Sequence, residues 1–162
     1  MLLVLLALAF GSGAPPARPE SLPRLELLDP RGARYTDETF RQRGVVVVVT
    51  APIATQGGVQ QAWHDALTPH ASDGKGPAIV ILEDMSQSWA RSIVIARIKA
   101  VYRPGGIVLL LDEDGAVRKS FGVGENTTTA FAFAPTGKLV AVETGAASPA
   151  LALKLVAAAR PQ

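Results

Sequence analysis

The 162-residue chain contains no cysteine. Thiol chemistry of its own is therefore closed to it, because the nucleophile in disulfide exchange and in peroxide reduction is the thiolate. Disulfide cross-links are closed to it as well, so its stability must come from its core. Strong charge of either sign is also lacking. The formal net charge is +2, and the basic residues are scattered as singles and pairs such as Arg41/Arg43, Arg97/Lys99 and Arg118/Lys119. That pattern leaves no electrostatic footprint for nucleic acid or an anionic membrane surface.

Several motifs are missing or incomplete. His64 and His70 are the only histidines. They fit neither the i,i+3 nor the i,i+4 relation of one helix face, and read as surface or partly buried side chains rather than a metal pair. His64 and Asp65 could join a serine or threonine in a hydrolase-like triad, but the strained G-x-S-x-G elbow that presents such a nucleophile is absent. Asp112-Glu113-Asp114-Gly115 lacks the rest of a calcium loop and reads as a solvated acidic turn. Gly122-x-Gly124 has no third glycine before a helix, so it is not a dinucleotide site. Asn126-Thr127-Thr128 fits the glycosylation acceptor pattern, which a bacterial-type export signal would leave unused. Nothing here asks for a metal or a cofactor.

Turning to what is present, 48% of residues are apolar, enough at this length for one domain with a sizeable core and too little chain for two. Met1 to Phe10 is almost wholly Leu, Val and Ala and runs into Gly11-Ser12-Gly13-Ala14-Pro15-Pro16. This is the pattern of a signal-peptide apolar region, with cleavage expected near Ala14 or Ala17. It is shorter than the roughly 20 residues that span a bilayer. No cysteine follows it, which excludes a lipid-anchored lipoprotein. Residues 1–17 are thus read as a signal peptide, 18–23 as a Pro-rich linker and 24–160 as the domain, with a periplasmic or extracellular address and no stable membrane span after cleavage.

Within the domain, Arg24 to Leu28 alternates charged and apolar residues as a half-buried strand does, and Asp29-Pro30-Arg31-Gly32 is a turn. Ala33 to Tyr35 returns as a strand, and Thr36-Asp37-Glu38 caps a brief helix ending by Gly44. Val45 to Val49, Ala78 to Leu82 and Ile107 to Leu111 are apolar runs suited to strands buried on both faces. Between them lie two predicted helices. The first runs from Gly57 or Gly58 to about Pro69, with Val59, Ala62, Trp63, Ala66 and Leu67 on one face. The second is capped by Ser86 or Ser88 and runs to about Tyr102, with Trp89, Ile93, Ala96 and Ala100 inward; both tryptophans are read as core. His70 to Lys75 is a loop. Thr129 to Ala134 and Lys138 to Val142 form a hairpin around Pro135-Thr136-Gly137, and Pro149 opens a terminal helix. The order predicts an α/β layered domain with a mixed central sheet flanked by helices.

These pieces resemble the thioredoxin-like superfamily, and more narrowly its redoxin branch of peroxiredoxins and periplasmic thiol-disulfide proteins. The opening from Leu22 to Gly32, the segment from Leu110 to Val123 and the late hairpin from Ala130 to Leu139 each resemble a redoxin segment, in the same order and spacing. The departures fall on the chemistry. Pro52-Ile53-Ala54-Thr55-Gln56 is similar to the peroxidatic loop, with Ala54 where the resemblance places the cysteine. Aligned on thioredoxins, the cysteine pair falls at Ala54 and Gly57. The cis-proline position before the late hairpin is matched by Thr128, where a trans bond is expected because a non-proline cis peptide costs about 2.5–4 kcal/mol.

The resemblance thus implies a three-layer thioredoxin-like fold, with Thr50, Pro52, Ala54, Thr55, Gln56 and Gly57 as a vestigial active-site loop and Thr128 facing it. It carries no catalytic residue across. The function expected first is that of a redox-inactive binding or accessory protein, a pseudoenzyme holding a protein or peptide partner in the groove beside the loop. The alternative is an oxidoreductase relative that works through a partner or by non-thiol chemistry at Thr50, Thr55 and Thr128. A purely structural domain of a secreted assembly is a third.

Overall fold

Five consecutive valines, Val45 to Val49, set the centre of the fold. β-Branched side chains pack well on a pleated surface, and a run with no polar alternation can be satisfied only where both faces are covered. In the computed structural model, which describes residues 17–71 and 75–161, that run lies in the interior of a seven-stranded sheet. Residues 1–16 of the expected signal peptide and 72–74 of the expected loop lie outside the described residues.

The strands are β1 (Glu26–Leu28), β2 (Arg34–Thr36), β3 (Val45–Thr50), β4 (Ala78–Asp84), β5 (Ile107–Asp112), β6 (Thr129–Phe133) and β7 (Leu139–Thr144). Their order across the sheet is β2-β1-β5-β4-β3-β6-β7. β3, β4 and β5 are parallel, with Val45 opposite Ala78 and Ile79 opposite Ile107. The hairpin β6–β7 adds antiparallel to β3, and β1–β2 antiparallel to β5. The helices are α1 (Asp37–Phe40), α2 (Gly57–Leu67), α3 (Arg91–Val101), α4 (Ala116–Ser120) and α5 (Pro149–Ala159).

Period-2 alternation divides the buried residues between two cores. Val45, Val47, Val49, Val80 and Leu82 point to one face with Leu22, Leu25, Phe40, Phe121, Phe131 and Phe133. Val46, Val48, Ile79 and Ile81 point to the other, against Trp63 and Leu67 of α2 and Ala152, Leu155, Val156 and Ala159 of α5. Ser148 caps α5 by accepting from the Leu151 N–H at 3.2 Å, with Pro149 in its first turn. Trp63 is fully buried, and its indole N–H donates to the Gly145 carbonyl at 2.7 Å, tying α2 to the end of β7. Gly44 is required where α5 ends over the start of β3. Its φ is +74°, and a Cβ there would lie 1.8 Å from the Ala159 carbonyl oxygen.

Three expectations need correction. The second long helix begins at Arg91, not at Ser86 or Ser88. Asp84 accepts hydrogen bonds from the Ser86 backbone N–H at 3.0 Å and its hydroxyl at 2.5 Å, folding Met85–Gln87 into a 3-10 turn and delaying the helix. The helical phase shifts accordingly. Trp89 is 98% exposed and Ile93 71% exposed, while Val94, Ile95 and Ile98 are the half-buried positions of α3. The acidic turn is not wholly solvated either, since Asp112 is buried while Glu113 and Asp114 are exposed. Ahead of β1, Ser21 forms a bridge with Lys138, and the buried Leu22 donates its N–H to the Gly137 carbonyl at 2.8 Å.

Asp84 and Asp112 end adjacent parallel strands, opposite one another. Arg118 of α4 resolves that crowding. Its backbone N–H donates to Asp112 at 2.7 Å, and its Nε lies 2.5 Å from Asp84 Oδ2 as an ion contact not aligned as a hydrogen bond. Gln87 also donates to Asp84, at 2.6 Å. Removing one partner of such a buried pair leaves an uncompensated charge, which typically costs about 3–5 kcal/mol. Arg118→Ala is therefore expected to lose about that much in chemical denaturation, whereas Glu113→Ala next to it should stay within about 0.5 kcal/mol. Equal small effects would show that the pair contributes nothing.

Candidate functional site

At the C-terminal ends of β3 and β4 the apolar strands give way to polar residues that remain buried: Thr50 and Glu83, opposite one another in the register and each 1% exposed. By strand parity Thr50 shares the face of Val46 and Val48, and Glu83 that of Ile79 and Ile81. Both therefore lie on the face that α2 covers, and each finds a glutamine of that segment.

Beyond Thr50 the chain turns tightly. Ile53 donates its N–H to the Ala51 carbonyl at 2.8 Å, and its own carbonyl receives the N–H groups of Gln56 at 3.0 Å and Gly57 at 3.1 Å. Ala54 and Thr55 are exposed at the tip of this turn, immediately ahead of α2. Gln56, the residue before the helix, spans to the segment preceding β6. Its Nε2 donates to the Asn126 carbonyl at 2.8 Å, and its Oε1 accepts from the Thr128 hydroxyl at 2.8 Å. Thr128 Oγ1 lies 2.8 Å from Thr50 Oγ1. Because Thr128 has a single hydroxyl proton and spends it on an amide oxygen that can only accept, Thr50 is the donor of this second bond. The backbone N–H of Asn126 is in turn held by Gln87 Oε1 at 2.8 Å. No peptide bond among the described residues is cis, including the one before Thr128.

Thus Thr50, Gln56 and Thr128 come together, Ala54 and Thr55 lie exposed beside them, and Pro52 and Gly57 face the adjoining cleft. The chemistry of this arrangement is limited. The hydroxyl chain ends on a neutral amide, which is no base, so neither threonine is activated as a nucleophile. His64, on α2, is exposed and contacts Asp65. Among the described residues no group of three or more His, Asp or Glu side chains converges as a metal site, and no helix is long and apolar enough to cross a membrane.

Glu83, one residue beyond the apolar run Ala78 to Leu82, is not among the site residues that the sequence suggests. Gln60 of α2 donates to its Oε1, while Oε2 is buried without a protein partner. Burial disfavours the charged carboxylate and pushes its pKa from the ordinary 4.5 up to about 8. Asp112 is likewise shifted upward, chiefly by burial. A sequence clue to Glu83 did exist, an acid continuing a strand whose neighbours are all apolar, but nothing in the sequence says that the strand stays covered for that extra residue.

The mixed sheet, the helices on its two faces and the turn–helix after β3 meeting the segment before β6 make this a thioredoxin-like fold. No family model matches the chain, and no curated protein matches it in sequence. Solved structures do. A thio-disulfide isomerase from Thermus thermophilus superposes with a TM-score of 0.63 at 24% identity, covering 90% of this chain and 99% of its own. An exposed lipoprotein thioredoxin from Streptococcus pneumoniae does so with a TM-score of 0.61 at 15% identity, over 83% of this chain and 98% of its own. A secreted disulfide oxidoreductase of Mycobacterium tuberculosis gives a TM-score of 0.59 at 12% identity, over 83% and 95%. The chain shares its fold with these proteins and has no cysteine.

The upward shift of Glu83 sets a pH dependence of stability. Between pH 4.5 and about 8 the folded state retains a proton that the unfolded state has lost. Stability therefore falls as pH rises through that window, by at most about 1.4 kcal/mol per pH unit, and levels off above it. Urea midpoints measured across that range should decline more steeply for the wild type than for Glu83→Gln. Parallel slopes would mean that Glu83 ionises normally.

Proposed function

We propose that the protein is an exported, redox-inactive thioredoxin-like binding or accessory protein, in effect a pseudoenzyme, which holds a polypeptide segment beside the Thr50–Gln56 turn and the Asn126–Thr128 segment. The observation that carries this reading is the hydrogen-bonded chain Thr50–Thr128–Gln56. It includes Thr128, where the redoxin resemblance implies the proline, runs beside the turn that carries Ala54, where the resemblance implies a cysteine, and links the two groove walls without sulfur. A groove needs shape and unpaired backbone groups to hold extended chain, neither of which depends on a thiolate. Export is supported by the apolar N-terminal run ending in small residues, and by the description of two structural neighbours as an exposed lipoprotein and a secreted protein. The division into signal peptide 1–17, linker 18–23 and domain 24–160 belongs to the same proposal.

The purified protein should give no turnover in insulin reduction or peroxide consumption, yet bind an unfolded, carboxymethylated polypeptide saturably in isothermal titration. Gln56→Ala, which removes two of the three side-chain links between the groove walls, is expected to weaken that binding by about tenfold or more. Turnover above a buffer control would overturn the redox-inactive part, and absence of saturable binding would overturn the binding part.

The scaffold can also be asked whether it still favours a thiolate. Ala54 precedes α2 by a single turn, where unsatisfied N–H groups and the positive end of the helix dipole gather. In Ala54→Cys combined with Thr128→Pro, the rate of alkylation against pH should report a thiol pKa below the unperturbed value of about 8.5. A value at or above it would mean that the electrostatics of the site have gone along with its cysteine.

A further inference from the structure

A cleft of about 480 Å³ opens between the sheet, α2 and α3, beside the threonine–glutamine chain. It exists because α3 stands off the sheet: none of its residues is buried, and only Val94, Ile95 and Ile98 are half-buried. The wall toward the sheet is Ile81, Ile107 and Leu109, and the wall toward α3 is Val94 and Ile98. In this apolar lining sits Glu83, 1% exposed, with Oε1 bonded to Gln60 and Oε2 bonded to nothing in the protein.

We propose that this cleft is a binding site for an uncharged, mainly apolar small molecule carrying a carbonyl or similar hydrogen-bond acceptor, which the Glu83 carboxyl receives. The volume falls within the range typical of small-ligand pockets, about 300–1,000 Å³, and apolar walls with a few placed polar groups are how such pockets fix orientation. The acceptor requirement follows from proton counting. Buried in these surroundings, Glu83 stays protonated at neutral pH. Gln60 donates to Oε1, so the carboxyl proton sits on Oε2 and is itself a donor without an acceptor. Oε2 has almost no surface open to the cleft, so a ligand oxygen meets it as the Glu83 carboxyl turns toward the cleft; a buried donor left unpaired is unfavourable, and that contact relieves the penalty. The other titratable groups on the walls are His64 of α2 and Tyr102 and Arg103 at the end of α3. Arg103 is already engaged with the Ala100 and Tyr102 carbonyls. This site adjoins the Thr50–Gln56 turn, with Pro52 and Gly57 on its edge, but its argument does not depend on the polypeptide reading.

The probe is 6-propionyl-2-dimethylaminonaphthalene, whose emission reports both an apolar surrounding and a hydrogen bond to its carbonyl. Its control is 2-dimethylaminonaphthalene, which lacks the carbonyl. The full chain should bind the carbonyl probe saturably, about tenfold more tightly than the control, the scale of one recovered hydrogen bond. Glu83→Leu should bring the two affinities together, whereas Glu83→Gln, which keeps an N–H donor, should retain the preference. Ile98→Trp, which fills the cleft from the α3 side, should weaken both probes. Raising the pH through about 8 should erode the preference in the wild type and leave it intact in Glu83→Gln. Equal affinity of the wild type for both probes, or no saturable binding, would overturn the proposal. So would a preference that survives Glu83→Leu, or one insensitive to pH.

Discussion

Two central strands must end. β3 and β4 are covered on both faces along their length, and their last residues, Thr50 and Glu83, are polar yet still excluded from water. A buried polar group without a partner costs about 1–3 kcal/mol, so these ends constrain everything above them. The turn after β3, the start of α2 and the segment before β6 are arranged so that Gln56 and Thr128 serve Thr50 and Gln60 serves Glu83. Where the supply falls short, at one oxygen of Glu83, the protein keeps the carboxyl neutral rather than charged.

The same arrangement separates fold from chemistry. In a thiol-disulfide protein the region above the buried strand ends would be occupied by a reactive sulfur. Here the turn after β3 is tied to the segment before β6 by neutral hydroxyls and an amide that satisfy one another. The binding reading follows because a braced, sulfur-free groove retains shape while losing reactivity. The neighbouring cleft under α3 follows from a different cause, the loose seating of a helix whose apolar residues are spread around its circumference.

Much of the fold was legible in the sequence. The valine run and the two further apolar runs, short, largely β-branched and separated by helical patterns, together with the hairpin around Pro135-Thr136-Gly137, point to a mixed sheet. The order of these pieces carried the thioredoxin-like reading, and Trp63 was placed correctly in the core. What could not be read was where local side-chain bonds override periodicity. Asp84 captures Ser86 and Gln87, delays α3 and turns Trp89 outward, although Trp89 and Ile93 sit at helical spacing. The burial of Asp112 depends on Arg118 reaching back from a short helix that apolar periodicity does not reveal. At the candidate site the sequence pointed to Thr50, Gln56 and Thr128 through the resemblance alone. Glu83 escaped because its role depends on two neighbouring strands and a helix rather than on its own segment.

The account stands on Thr50 and Thr128 being joined across the site. A double-mutant cycle with Thr50→Val, Thr128→Val and the combined variant, read by urea denaturation, measures that link directly. A coupling of about 0.5–1.5 kcal/mol is expected from one buried hydroxyl–hydroxyl bond, with the double variant losing less than the sum of the singles. Strict additivity, within about 0.3 kcal/mol, would show that the two hydroxyls do not meet and would contradict the braced, sulfur-free site.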